Sequence, residues 1–351
     1  MKRNVLNSPY QFTIMNQSAK ILGFDEQVQN VQKAIADFES GKKQNIAIIA
    51  EPFAGKTSIL DIIEKENSHL ISRVPVSSII NNKGKLTIAS LNKIVMIDNC
   101  HFLYLRKIGG FGVLEAFLNT ISASYDHLFI TAWNLFSWNY LESAVNIGKY
   151  IPSRINLPKL NDNEIKECIL SAYEPGEITF VNDADVNKEK IIHVVRHPVV
   201  IKPLHKTFNM VFIRIDFAIL KTKFHKTEDE IATEDLIFKK INRISNGNPG
   251  IAKAIWEKNL AYPTVKLSQF EHFSYTIDLD YHESFIMSII LAMRMVTKES
   301  LSNMGDDSHI DVILFRLFEQ GLIGIDNGTC SIKPEAMRNS VELLHKLRLV
   351  W

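Results

Sequence analysis

The sequence predicts an α/β fold, a parallel sheet with helices on both faces, followed by an α-helical unit and a winged-helix unit. Three observations predict it. Short apolar or β-like runs at 46–49, 94–97 and 128–131, with a last short strand at 154–157, alternate with helical patterns, as in a sheet built from strand–helix–strand crossovers. From Asn161 the pattern turns helical, with few strand signals. Beyond Tyr262 and Pro263, three helical stretches precede two short runs flanking Asn327-Gly328, the order of a winged helix-turn-helix.

The elements follow in order. Residues 25–40 place Val28, Val31, Ile35 and Phe38 on one helical face and stop at Gly41. An apolar run, a loop and a helix pattern fill 45–60. Residues 70–80 read as β-like and 81–85 (NNKGK) as a turn. A strand over 94–97 ends at Asp98, a loop carries Gly109, Gly110 and Gly112, and a helix covers 113–122. After the run at 128–131 and Asn134 the chain is aromatic (Phe136, Trp138, Tyr140), and the strand at 154–157 closes at Pro158. Helices are expected at 163–172, 204–224, 228–245 and 249–260, with a loop at 245–250 that caps the last of them. Further helices are expected near 282–294, 297–304, 309–320 and 334–347. The divisions are a 1–20 extension, a 21–160 α/β domain, a 161–262 helical domain and a 263–351 winged-helix domain.

Composition bounds the function. The 351 residues are 46% apolar, sufficient for a real core, and the net charge of +1 gives no global attraction to nucleic acid or acidic substrates. The cysteines Cys100, Cys168 and Cys330 form no C-x-x-C pair and fit free thiols in a reducing cytoplasm. The first twenty residues lack a continuous apolar region, and the apolar run at 285–293 is too short to span a bilayer. The chain reads as soluble, cytoplasmic and without a membrane partner.

The chemistry concentrates in NIAIIAEPFAGKTSIL at 45–60. A loop between a strand and a helix aims backbone N–H groups and the positive helix end at one spot, where a polyphosphate finds donors already in place. Ala50, Glu51, Pro52, Phe53, Ala54, Gly55, Lys56, Thr57 and Ser58 are the candidate nucleotide-binding residues. Lys56 would reach the β- and γ-phosphates and Thr57 would ligate Mg²⁺. Ala50 stands where G-x-x-x-x-G-K-[ST] begins with glycine. The second piece is KIVMIDNCH at 93–101, whose Asp98 at a strand end would complete the Mg²⁺ shell.

On these residues the chain resembles the AAA+/STAND group of P-loop ATPases, especially the archaeal ATPase type, over roughly 20–346. Ala50–Thr57 resembles Walker A and the 94–98 segment Walker B. Ile21-Leu22-Gly23-Phe24-Asp25-Glu26 resembles the Gly-Arg-Glu-Glu box, with Phe24 in place of arginine. Phe129-Ile130-Thr131 resembles the sensor-1 strand, and Ser153-Arg154 the family's arginine ahead of its i-x-L-x-x-L segment. Gly247-Asn248-Pro249 resembles the G-x-P signature of the helical lid, whose proline packs on adenine. The resemblance implies a P-loop NTPase sheet, a lid and a winged helix, with ATP or ADP and Mg²⁺ as ligands. It also implies Asp98, Asn99, Thr131 and Arg154 as the catalytic set, Thr57 and Asp98 at the metal, and Gly23 and Pro249 near the base.

Two departures stand out. Asn99 replaces the glutamate that polarises the attacking water, and an amide cannot take its proton. Gly250 stands near the sensor-2 arginine position, with Lys253 one turn on. Thr131 reads equally as a sensor or a strand-end cap, with Asn134 as the neighbouring alternative. Arg154 reads as a finger toward a neighbouring subunit or as partner of a local carboxylate. Asp25 and Glu26 read as residues that place the adenine side of the site or as ordinary first-turn acids suited to the helix dipole, and His101 reads as a packed histidine rather than a metal ligand. The basic stretch 188–226 reads as a polyanion face or as a solvated helix face.

The expected function is an ATP-binding switch or assembly factor with slow hydrolysis, acting through a protein partner or self-oligomer. The alternatives are a DNA-binding, origin-recognition-like initiator and a hydrolysis-deficient scaffold. The third winged-helix helix, IDVILFRLFEQ, carries one arginine against two acids, a poor match for phosphates.

Overall fold

The computed structural model describes residues 23–74, 76–80, 92–183, 192–201, 206–215, 232–270, 277–304 and 309–351. Helix α1 (Asp25–Glu39) leads into β1 (Ile46–Ala50), α2 (Lys56–Glu66), β2 (Ile71–Val74) and β3 (Ile94–Ile97). Then come α3 (Gly112–Ala123), β4 (Leu128–Asn134), α4 (Leu135–Val145) and β5 (Ser153–Asn156). The five strands are parallel in the order β2-β3-β4-β1-β5. Every residue of β1, β3 and β4 is buried, so these strands are covered on both faces and read as unbroken apolar runs. The carboxyl ends of β1 and β3 flank that of β4, about 10 Å apart at ordinary strand spacing. Loops at that edge therefore converge, the usual place for a ligand in such sheets.

The second unit holds α5 (Asp162–Leu170), β6 (Thr179–Val181), β7 (Ile192–Ile201), β8 (Lys206–Ile215), α6 (Thr233–Ser245), α7 (Pro249–Asn259) and β9 (Thr264–Lys266). Asn161 and Glu164 close a capping box on α5, and Phe238, Trp256 and Phe270 stack at the centre of the unit. The helix expected at 204–224 is not formed: β7 and β8 pair as an antiparallel hairpin in register from Ile192↔Ile215 to Ile201↔Lys206. Each strand is rich in β-branched and aromatic residues (VVRHPVVI, TFNMVFIRI), which favour a pleated surface over a helix. The side chains of the basic stretch, and the turn expected at 81–85, lie outside the described residues.

The third unit runs α8 (Tyr281–Met293), β10 (Met295–Thr297), α9 (Lys298–Ser302), α10 (Ile310–Glu319), β11 (Ile323–Asp326), β12 (Thr329–Ile332) and α11 (Met337–Lys346). The Asn327-Gly328 hairpin forms as expected, and β10 adds a third strand to it. Helix α8 is buried nearly all round because it packs both on its own unit and on the α/β domain. Among the described residues no helix is long and apolar enough to cross a membrane.

Candidate functional site

The site lies where the loop after β1 meets the end of β3. Two left-handed residues shape the loop, Phe53 (φ 66°) and Gly55 (φ 92°). Gly55 needs to be glycine twice over, since a Cβ there would also lie 3.3 Å from the Phe24 ring. It opens α2, whose N-terminus has no side-chain cap, so its first N–H groups remain available to an anion. Left-handed residues spaced through a loop in this way favour turning its amides toward one concavity.

Lys56 and Thr57 stand on the first turn of that helix. The Lys56 ammonium curls over the loop and donates to the carbonyls of Ala50 (2.8 Å) and Glu51 (2.7 Å). Burial, then the nearby Arg294 guanidinium, holds its pKa down at about 7, against the opposing pull of Asp98 and Glu51. The Thr57 hydroxyl donates to Asp98 Oδ2 at 2.8 Å. Asp98 is buried, and its Oδ1 accepts the Asn99 backbone N–H at 2.8 Å. The hydroxyl and carboxylate expected at a Mg²⁺ ion are thus in contact, and their chemistry fits a hard, oxygen-liganded cation with several waters.

Asn99 adopts a left-handed conformation (φ 55°), and its side-chain amide donates to the Val76 carbonyl at 3.2 Å. Asparagine tolerates this backbone better than glutamate would. His101 is buried in the 3-10 turn that follows, and desolvation, reinforced by the Lys56 charge, keeps its imidazole neutral.

The helical unit touches the loop directly. Asn248 Nδ2 donates to the Pro52 carbonyl at 2.8 Å, and the Gly250 N–H donates to the Phe53 carbonyl at 3.1 Å. A Cβ on Gly250 would come within 2.3 Å of that carbonyl, so glycine permits the approach. Pro249 is the first residue of α7, a position where its missing N–H costs nothing. A cavity of about 400 Å³ opens beside the loop, walled by Ala50, Glu51, Ala54, Trp138, Gly247 and Asn248. Gly23, Lys56 and Thr57 do not line it.

Of the other expected residues, Arg154 lines the same cavity, whereas Thr131 and Asn134 do not. Thr131 lies in mid-strand, because β4 runs on to Asn134; its hydroxyl donates to the Ile46 carbonyl at 2.8 Å and accepts from Trp133. Arg154 pairs with Glu142 at 2.8 Å and lies over the Trp138 ring. Asn134 at the strand end caps α4 and donates to the carbonyls of Leu291 (2.8 Å) and Ala292 (2.7 Å). Ser137 also donates to Ala292. These bonds seat the end of α8 on the α/β domain.

Two arginines enter the site that the motifs did not indicate. Arg294 caps α8 in an unusual conformation (φ 62°, ψ −47°), with its guanidinium 5.1 Å from the centre of the Phe53 ring. It makes no hydrogen bond or ion pair with the described residues, and burial lowers its pKa despite the field of Asp98. Arg73 on β2 reaches Asp98 Oδ2 at 3.3 Å. The signal for both was a lone arginine ending an apolar run, LAMRM for Arg294 and LISRV for Arg73.

No protein-family model matches the chain, and no curated protein matches it in sequence. Among solved structures it is similar to the Thermotoga maritima RuvB Holliday junction branch migration motor, at 16% identity and a TM-score of 0.41, over 90% of this chain and 94% of that one. It is also similar to Cdc6p from Pyrobaculum aerophilum, at 13% identity and a TM-score of 0.39, over 96% and 98%.

Proposed function

We propose that this chain is a nucleotide-binding AAA+-type P-loop ATPase that acts as a switch. The observation that carries the reading is the contact between Thr57 and Asp98, beside Lys56 and an uncapped helix N-terminus. Phosphates would sit on the loop amides and Lys56. A bound Mg²⁺, held by Thr57 and through water by Asp98, would supply charge neutralisation at the β- and γ-oxygens. Asn99, engaged with Val76, offers no base, so turnover is slow. Gly250 and Asn248 couple the loop to the lid, and Arg294 brings the third unit to the same phosphates. A change of nucleotide then shifts the balance between docked and released units.

A protein partner or second copy is favoured over DNA by the third unit's surface. Arg316, the one arginine on α10, pairs with buried Glu283 at 2.6 Å. The helix exposes Val312 (59%), Phe315 (62%) and Phe318 (43%) instead. A groove-reading helix needs bases or amides there.

Calorimetric titration with ADP and ATP tests the reading. Lys56→Ala should abolish binding or weaken it at least about a hundredfold; unchanged affinity overturns the assignment. A DNA titration across salt separates the alternatives, because a steep loss of affinity with salt would favour the initiator.

A further inference from the structure

Arg73 sits among three carboxylates. Its Nη1 donates to Asp61 and to Glu64 (3.0 Å), both on α2, and its Nη2 reaches Asp98 Oδ2 at 3.3 Å. The two helix acids hold the planar fork so that its remaining edge faces Asp98. The capacity of Asp98 is then nearly filled. Oδ1 takes the Asn99 N–H, and Oδ2 takes both the Thr57 hydroxyl and Arg73. A carboxylate offers about four acceptor positions; three are taken, so a metal-bound water is left about one of the four. Lys56, Arg73 and Arg294 thus all act on Asp98, with Glu51 also beside Lys56 and with Asp61 and Glu64 also beside Arg73.

We propose that Arg73 competes with the metal's water shell for Asp98, so that the site holds a nucleoside di- or triphosphate with little dependence on a divalent cation. The inference rests on the nucleotide reading above. Positive charge would reach the phosphates from Arg294, and from Lys56 once the bound phosphates favour its ammonium form, whether or not the metal adds its own. Arg73 is a positioning residue: it acts on the metal requirement through Asp98 rather than on the reacting atoms.

The test is calorimetric titration of the full chain with ADP at fixed ionic strength, once in EDTA and once in saturating Mg²⁺. The wild-type affinities should agree within about threefold, and Arg73→Gln should widen the ratio to about tenfold or more in favour of Mg²⁺. Arg73→Lys, which keeps the charge, should stay near the wild-type ratio. Binding by the wild type only with Mg²⁺ overturns the role of Arg73 while leaving the nucleotide site intact, and needs no variant to fold. An Arg73→Gln protein that folds but shows the wild-type ratio also overturns it. No binding in either medium sinks the nucleotide reading and this inference together.

Discussion

Thr57 and Asp98, forty-one residues apart in sequence, are joined by a hydroxyl–carboxylate hydrogen bond of 2.8 Å. The bond pins the first turn of α2 over the end of β3, and so fixes the loop relative to the acid. Thr57→Val keeps the shape and removes the donor. It should lower stability by about 1–2 kcal/mol, since a partly buried charged acceptor loses one of its donors. Urea denaturation reads that directly. An unchanged midpoint would mean that the bond is replaced by water.

Lys56 makes nucleotide affinity depend on pH. Its folded pKa is depressed to about 7, so near neutrality it is only partly charged before ligand arrives. A phosphate tail favours the ammonium, and binding above pH 7 therefore takes up a proton. Affinity should fall toward tenfold per pH unit as pH rises from 7 to 9. Titrations in buffers of different ionisation enthalpy should report the uptake. The sign for stability is opposite: the unfolded lysine binds the proton more tightly, so the empty protein gains stability as pH rises from about 7 toward the ordinary lysine value.

The α/β frame was legible because its central strands are apolar runs closed by a polar or loop residue, as at Ile94–Ile97 before Asp98, whereas β2 (ISRV) and β5 (SRIN) mix polar residues in. The Gly55-Lys56-Thr57 loop was legible for the same reason, since its motif is local. What local pattern could not carry were the side chains arriving from afar. Arg294 reaches the loop only because α8 docks on Asn134, more than 150 residues earlier. The helix expected at 204–224 gave way to a strand over 206–215: Phe208 and Phe212 also fit a helical spacing, but Val211, Ile213 and Ile215 alternate as a strand does. Thr131 was placed by its motif at a strand end, but β4 continues three residues further, to Asn134.

Gly250 tests how the lid meets the loop. Its N–H bond to Phe53 requires an approach that a methyl group would block at 2.3 Å from a backbone carbonyl. Gly250→Ala should cost about 1–3 kcal/mol by overpacking and push α7 off the loop. The expected signature is faster exchange of the amide at position 250, which donates to the Phe53 carbonyl, with the α5 core unaffected. Wild-type protection of that amide would show that the contact is not a constraint.

Asn134 carries the seat of the third unit. Its amide satisfies two carbonyls at the end of α8, and its Oδ1 caps α4 through the Phe136 N–H. Asn134→Ala removes all three bonds from a buried position and should cost about 2–4 kcal/mol. Exchange protection should drop along α8 more than along α2. Equal loss everywhere would indicate plain destabilisation of the sheet rather than release of the unit.

Arg294 lies close enough to Lys56 to depress its pKa, and the two cations share the field of Asp98, with Glu51 acting on Lys56 as well. That arrangement is unfavourable in the empty protein and is relieved when phosphate arrives. Arg294→Ala should therefore do two things at once. Removing a charged phosphate contact should weaken ADP binding by about tenfold to a hundredfold. Removing a like charge should raise the Lys56 pKa, moving the pH at which affinity begins to fall upward from about 7. A purely structural role for Arg294 would weaken binding without moving that pH, so the displacement of the profile, measured by titration from pH 6 to 9, decides between them.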